Sequence, residues 1–170
     1  MDWLLLVLRL THVVLGALWV GMIALTIAFL MPAVRAAGPG GGAVMAELQR
    51  RKLMTVIPVI ALGTIVSGIW LMQRVWGGMG GLMASRPGQT LAAGAVASIV
   101  AFLLGVGVMR PLMLRAATMA QGMGAVQSDE ERAARAKELE RVRARATTVG
   151  QLVVLLVLFA TAAMAVARYV

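Results

Sequence analysis

The chain has 170 residues, a net charge of +9 and a mean hydropathy of +0.89, and 61% of its residues are hydrophobic. Soluble domains are typically about 45–50% apolar, so this composition excludes an ordinary soluble protein and indicates a lipid environment. The absence of cysteine excludes disulfides, thiolate metal sites and iron–sulfur clusters, and a single histidine excludes a two-histidine metal site within one chain.

Four apolar runs are long enough to cross a membrane, whose hydrocarbon core of about 30 Å needs about 20 helical residues. They cover residues 3–31, 53–76, 90–109 and 147–167. Each is predicted to be helical, because lipid offers no partner to an unpaired backbone amide. The predicted fold class is therefore all-α: an integral membrane, up-down four-helix bundle that forms one domain over residues 1–170.

Proline and glycine residues occur in the connections between these runs and predict where helices end. The first span is predicted to end at Met31, before Pro32, because proline removes a helical hydrogen bond. Four glycines and a proline follow within residues 36–42, which predicts a flexible link, and a short helical pattern resumes over 43–52. A second glycine-rich loop is predicted at 77–81.

Small residues recur at four-residue spacing in two of the spans. Thr64 and Gly68 are related in this way in the second span, and a longer stripe occupies the third span: Ala93, Ala97, Ala101 and Gly105. Such stripes let helix backbones approach closely, so we interpret them as the packing seams of the bundle.

A helical hairpin is predicted to extend the third and fourth spans beyond the membrane, over residues 110–146. Ser128 is the predicted N-cap of its second helix, with Glu131 three residues later as in a capping box. Glu131 and Arg135 form an i,i+4 pair in the favourable order.

The distribution of Lys and Arg predicts the orientation. Twelve of these residues lie in the connections 32–52 and 110–146, against three in the connection 74–89 and the C-terminus. By the positive-inside rule both termini are outside and the two basic connections are cytoplasmic. Because these basic residues lie between apolar runs, their expected partners are anionic lipid headgroups and not nucleic acid.

The only histidine of the chain, His12, lies within the first span. With the outer end of the span at Trp3, Arg9 is about 9 Å deep and His12 about 13 Å deep, at 1.5 Å of rise per residue. Spacings of three and four place Arg9, His12, Gly16 and Trp19 on one face. An ionisable residue inside a membrane span is costly, so His12 is the first candidate for a functional site.

Two interpretations of His12 follow from its chemistry. In the first, its neutral imidazole is an axial ligand of a b-type haem or another tetrapyrrole, or a metal ligand; Gly16 leaves room for the macrocycle and Arg9 faces a propionate. In the second, His12 binds no cofactor and hydrogen-bonds between helices to Thr64, Ser67 or a backbone carbonyl. Copper binding by methionines four residues apart is a third, less favoured alternative; the pairs are Met79/Met83, Met109/Met113 and Met119/Met123.

The segment Leu10-Thr-His12-Val-Val-Leu-Gly16-Ala-Leu-Trp19-Val-Gly21 resembles the first-helix motif of the copper-resistance D (CopD)-like membrane proteins, a group that also holds the HemJ-type protoporphyrinogen oxidases. The resemblance continues in Arg50-Arg51-Lys52-Leu53, Pro58 and Gly68 and covers about half of the chain. It implies four spans in a bacterial inner membrane and, for the HemJ type, a tetrapyrrole-binding role for His12. For the CopD type it implies copper handling, although this chain lacks the additional spans of the larger members. The HemJ type also uses a lysine in its third helix, and residues 90–109 contain none.

The expected function is therefore that of a small, non-catalytic membrane protein that binds haem, another tetrapyrrole or a metal through His12. A symmetry-related His12 of a homodimer, or another subunit, would supply the second axial ligand. An accessory subunit of a larger membrane complex, without a cofactor of its own, is the alternative from a different class. A HemJ-like redox enzyme is disfavoured by the missing lysine.

Overall fold

In the computed structural model, which describes residues 2–125 and 128–170, every regular element is helical. Four helices are long and apolar enough to cross a membrane: α1 (Trp3–Ala36), α3 (Leu53–Trp76), α5 (Arg86–Gly122) and α6 (Asp129–Tyr169). Two shorter helices are α2 (Pro39–Arg50) and α4 (Met79–Met83). The predicted all-helical class is confirmed for the described residues, and the four long apolar helices lie at the predicted spans, although α4 occupies part of the predicted second loop and α5 begins four residues before the predicted third span.

Helices α1 and α3 pack closely because glycines remove side chains from the contact. A Cβ on Gly63 would lie 2.8 Å from Cδ1 of Leu15, and a Cβ on Gly68 would lie 2.8 Å from Cε1 of His12. Higher residue numbers in α1 meet lower numbers in α3, so the two helices run in opposite directions. The predicted seam at Thr64 and Gly68 is confirmed as a helix–helix contact.

Helices α5 and α6 form the second close pair. Gly94 faces α6, where an added Cβ would lie 3.2 Å from the carbonyl oxygen of Ala160. Ala97 and Ala101 are buried as predicted, whereas Ala93 is exposed and a Cβ on Gly105 would meet nothing within 4 Å. A strict four-residue spacing drifts around a helix of 3.6 residues per turn, so the actual seam follows positions 94, 97 and 101.

Each of α1 and α5 contains one π-helical turn, Thr26–Leu30 and Gly105–Met109. Each turn ends two residues before a proline, Pro32 or Pro111. A proline ring clashes with the carbonyl four residues earlier in an α-helix, and the wider turn relieves that clash without ending the helix. The prediction that the first span ends at Met31 is therefore wrong, because α1 continues through Pro32 to Ala36.

The predicted flexible link at residues 36–42 is also wrong, since only Ala37 and Gly38 separate α1 from α2. Gly38 has φ +56°, which reverses the chain direction at a conformation that favours glycine. A Cβ on Gly41 would lie 1.9 Å from the carbonyl oxygen of Val34. The glycines here allow α2 to fold back against the end of α1.

The two helix pairs meet at Gly150 of α6. A Cβ there would lie 2.6 Å from Cδ1 of Ile27 and 3.4 Å from the sulfur of Met109. These two side chains come from the two π-helical turns. The buried core continues from this level along the bundle and is apolar; its members are Trp19, Ile23, Ile27, Ile57, Ala61, Ala101, Met109, Val153 and Val157.

Helices α5 and α6 continue through residues 110–122 and 129–146, where the helical hairpin is predicted. The Ser128 hydroxyl accepts a 3.5 Å hydrogen bond from the backbone N–H of Glu131, and Arg135 pairs with Glu131 at 2.6 Å. Arg115 of α5 pairs with Glu138 of α6 at 2.5 Å and links the two helices. The predicted turn between them includes residues 126 and 127, which lie outside the described residues.

The end of α2 carries a compact ion-pair group. The Glu47 carboxylate accepts hydrogen bonds from Arg50 and Arg51, each at 2.8 Å. The Arg50 guanidinium, followed by that of Arg51, lowers the pKa of Glu47 from its ordinary value. The two arginine side chains are largely exposed and Glu47 is half-exposed, so this ion-pair group contributes little to overall stability.

Large apolar side chains cover the outside of the four long helices. Trp3 and Phe29 of α1 are more than 65% exposed, and Leu155 of α6 is 64% exposed. A soluble monomer rarely exposes a continuous apolar surface of this extent. Together with the four long apolar helices, it indicates an integral membrane protein.

Replacing Gly150 by leucine tests the contact between the two helix pairs. We expect Gly150→Leu to lower the free energy of unfolding by about 1–3 kcal/mol, because the new side chain would overlap Ile27 and Met109. Thermal unfolding in a mild detergent measures the effect. Gly21→Leu is the matched control, since a Cβ on Gly21 meets nothing within 4 Å. Equal destabilisation by both substitutions would contradict the role given to Gly150.

Candidate functional site around His12

His12 lies on the α3-facing side of α1 and is half-buried. Its Nδ1 is 2.9 Å from the carbonyl oxygen of Thr64 and 3.4 Å from Oγ of Ser67. A carbonyl oxygen can only accept a hydrogen bond, so Nδ1 carries a proton and donates it. In the neutral ring, Nε2 is therefore the unprotonated nitrogen and carries a free lone pair.

The polar groups of α3 around His12 satisfy one another without using Nε2. The Thr64 hydroxyl donates to the carbonyl of Ile60 at 3.0 Å. The Ser67 hydroxyl lies 2.7 Å from the carbonyl of Gly63 and 3.0 Å from that of Thr64. These bonds hold the residues that orient Nδ1, so the ring direction is fixed from the α3 side.

Nε2 of His12 has no hydrogen-bond partner among residues 2–125 and 128–170. In the described part of the chain, Arg110 Nε is the only side-chain nitrogen or oxygen that is buried and has no hydrogen-bond partner. Since Nε2 of His12 also has no partner, it is not fully buried. Nε2 is therefore accessible at the surface of the bundle. A nitrogen in this state is able to accept a hydrogen bond or coordinate a metal.

Gly68 sets the distance between the imidazole and α3. A Cβ at this position would lie 2.8 Å from Cε1 and 3.2 Å from Nδ1 of His12. The ring thus packs directly against the backbone of α3, and any side chain at Gly68 would displace it. Sequence reasoning identified Gly68 as a seam residue and missed its contact with His12, because spacing within one helix does not reveal the register between two helices.

The other predicted site residues are distributed around His12. Arg9 is exposed, and no hydrogen bond or ion pair of its guanidinium occurs within the described residues. Gly16 faces α3, where a Cβ would lie 3.5 Å from Cγ2 of Thr64. Its role in leaving room for a macrocycle stays a prediction. Trp19, on the same face, is buried in the core.

Two cavities lie elsewhere in the bundle, and His12 lines neither of them. The smaller, of about 40 Å³, lies in the core beside Pro58 and Arg110. The Nε of Arg110 is buried there without a partner. The larger, of about 540 Å³, lies at the basic end and includes Arg35 and Arg143. Sequence reasoning missed both, because a cavity depends on how helices diverge.

Comparison of the chain with protein families, with curated proteins and with solved structures finds no match. Within residues 2–125 and 128–170, no three His, Asp or Glu side chains form a group that could hold a metal ion. Of the methionine pairs, Met79 and Met83 are exposed, whereas Met109 is buried. The geometry of His12 is thus the main evidence for a site.

The contact between Gly68 and His12 predicts a specific coupling between two substitutions. Gly68→Ala should lower stability by about 1–3 kcal/mol, because the new methyl group overlaps the imidazole. In the His12→Ala background the same substitution should have almost no effect, since the ring is gone. Unfolding of the two single variants and the double variant gives the coupling energy. Additive effects would show that the imidazole does not pack against Gly68.

Proposed function

We propose that the protein is a small, non-catalytic integral membrane protein that binds a tetrapyrrole, such as haem b, through Nε2 of His12. The observation that carries this proposal is that only one of the two ring nitrogens of His12 is hydrogen-bonded. Nδ1–H donates to the Thr64 carbonyl, while Nε2 has no partner among the residues that the structure describes. A histidine that ligates a metal commonly has this arrangement, because the second hydrogen bond fixes the tautomer and the ring direction.

The proposed topology places His12 within the outer half of the membrane. The four long helices cross in alternating directions, with both termini outside and the basic connections in the cytoplasm. A bacterial inner membrane is the proposed location. In this setting Nε2 cannot obtain a hydrogen bond from water as it would at an exposed site. A ligand or a partner at Nε2 would therefore be favoured.

The open position of Nε2 favours a macrocycle shared between chains. A site within one chain would need an enclosing cavity, and His12 lines neither of the two cavities described above. A tetrapyrrole on this face would present its other side to a second molecule. A second copy of the chain would supply another His12, giving a two-histidine b-type site in a homodimer; a different membrane subunit could supply the ligand instead.

Arg9 is the candidate partner for a propionate. It precedes His12 by three residues, about 4.5 Å along the helix axis at 1.5 Å per residue. It lies on the side toward the N-terminus, which the proposed topology places outside. Its exposed guanidinium has no acidic partner among the described residues. A carboxylate at this level would neutralise it, and Arg is well suited to bind one.

A second candidate function is that of an accessory subunit in a larger membrane complex, with His12 as a packing residue. The close contact of the imidazole with Gly68 and the extensive apolar surface favour it. Metal binding by His12 alone or by methionines is a weaker candidate. Redox catalysis of the HemJ kind is not proposed, since α5 contains no lysine.

Absorption spectra of the protein purified in mild detergent, oxidised and reduced, test the proposal. We expect a Soret band that disappears in His12→Ala, because the axial ligand is lost. Arg9→Gln should keep the band and weaken haem retention by about tenfold, the effect of one charge-assisted hydrogen bond. Thr11→Ala, at an exposed neighbouring position, is the control and should resemble the unmodified protein.

A blank spectrum after haem supplementation, with no metal by elemental analysis, would overturn the cofactor proposal. In that case co-purification with other membrane subunits at a fixed stoichiometry would support the accessory function. A Soret band that persists in His12→Ala would place the tetrapyrrole elsewhere and would also contradict the role of Nε2.

A further inference from the structure

The cavity of about 540 Å³ lies where α1 and α5 continue beyond their π-helical turns. Residues of α1, α2, α5 and α6 line it, so it is bounded by four helices. Ile27 and Met113 lie at its core-facing end, and α2 contributes Met45 and Gln49. Its volume falls within the range of about 300–1,000 Å³ typical of small-molecule sites.

The charges around this cavity are of one sign. Arg35 and Arg143 are its only charged residues in the part of the chain that the structure describes, and no carboxylate lines it. The Arg35 guanidinium donates to the Arg143 carbonyl at 3.1 Å and to the Thr147 hydroxyl at 2.6 Å, both uncharged acceptors. Arg143 itself pairs with Glu140 at 2.8 Å. The positive charge of Arg35 is thus held in place without an opposite charge.

The rest of the cavity is mostly apolar. Side chains from α1 and α2 form one side of it, including Met31, Val34 and Met45. Ala116, Ala117 and Ala120 of α5 form another side, and their small size keeps the space open. An inorganic anion would leave this apolar surface unused, and an uncharged apolar molecule would leave Arg35 unneutralised. The lining matches an amphiphile with a negative head.

We propose that the cavity binds one anionic phospholipid, with an acyl chain between α2 and α5 and its phosphate at Arg35. Four helices meet here at the end of the bundle that carries most of the Lys and Arg residues, where anionic headgroups concentrate under the proposed topology. Basic pockets between membrane helices bind such headgroups. The lipid would fill the space that opens below the Gly150 contact and hold α2 against the bundle. This proposal is independent of any ligand at His12.

Native mass spectrometry of the detergent-solubilised protein tests it, with phosphatidylglycerol and phosphatidylcholine of identical acyl chains as probes. We expect one phosphatidylglycerol to be retained per chain, in clear preference to phosphatidylcholine. Arg35→Gln should reduce its retention by about tenfold, because a charge-assisted hydrogen bond is lost. Arg35→Lys should restore much of it. Arg145→Gln removes the same charge from an exposed position of α6 outside the cavity and should have no effect.

A second pair of variants tests the acyl-chain site without changing charge. Ala117→Trp should fill the cavity and reduce phosphatidylglycerol retention, whereas Ala144→Trp, at an exposed position outside it, should not. Circular dichroism and size exclusion confirm that each variant is folded. Equal loss in Arg35→Gln and Arg145→Gln, equal retention of the two lipids, or full retention in Ala117→Trp would each overturn the proposal.

Discussion

The contact of Ile27 and Met109 with Gly150 is the constraint on which the rest of the structure depends. Helices α1 and α3 form one close pair, and α5 and α6 form another. At Gly150 the absence of a side chain lets the two pairs approach. Both partners of Gly150 come from π-helical turns, where the helix is wider and its side chains are re-aimed. Membrane helices gain little from the hydrophobic effect between spans, so such close contacts must supply much of the association.

Two prolines lie close to the level at which the apolar core of the bundle gives way to the large cavity. Pro32 and Pro111 each follow a π-helical turn by two residues, so both helices are perturbed at about the same height. Toward the core, apolar side chains such as Ile23 and Val157 are almost fully buried. On the other side the helices diverge around the large cavity, and α2 folds back over it. The two π-helical turns thus lie between the apolar core and the cavity at the basic end.

The sequence predicts features that depend on neighbouring residues and misses those that depend on register. The long apolar helices, the Ser128 cap and the Glu131–Arg135 pair are all local, and all were predicted correctly. The end of the first span at Met31 was predicted wrongly, because a proline ends a helix only when no wider turn accommodates it. The link at 36–42 was predicted wrongly, because a glycine can also allow two backbone segments to pack closely. Gly41 packs on the Val34 carbonyl in this way. Neither reason is visible without the partner segment.

His12 illustrates the same distinction at the candidate site. The sequence identifies an ionisable residue inside an apolar span and two alternative roles for it, a ligand and an interhelical hydrogen bond. The structure adds that the hydrogen bond uses only one ring nitrogen: Nδ1 donates to the Thr64 carbonyl, and Nε2 has no partner within residues 2–125 and 128–170. The hydrogen bond therefore does not compete with ligation. It fixes the tautomer that ligation requires, and Gly68 brings the ring close enough for it to form. The His12 side chain can therefore pack against α3 and bind a ligand at the same time. The two proposed functions differ only in whether Nε2 binds a ligand.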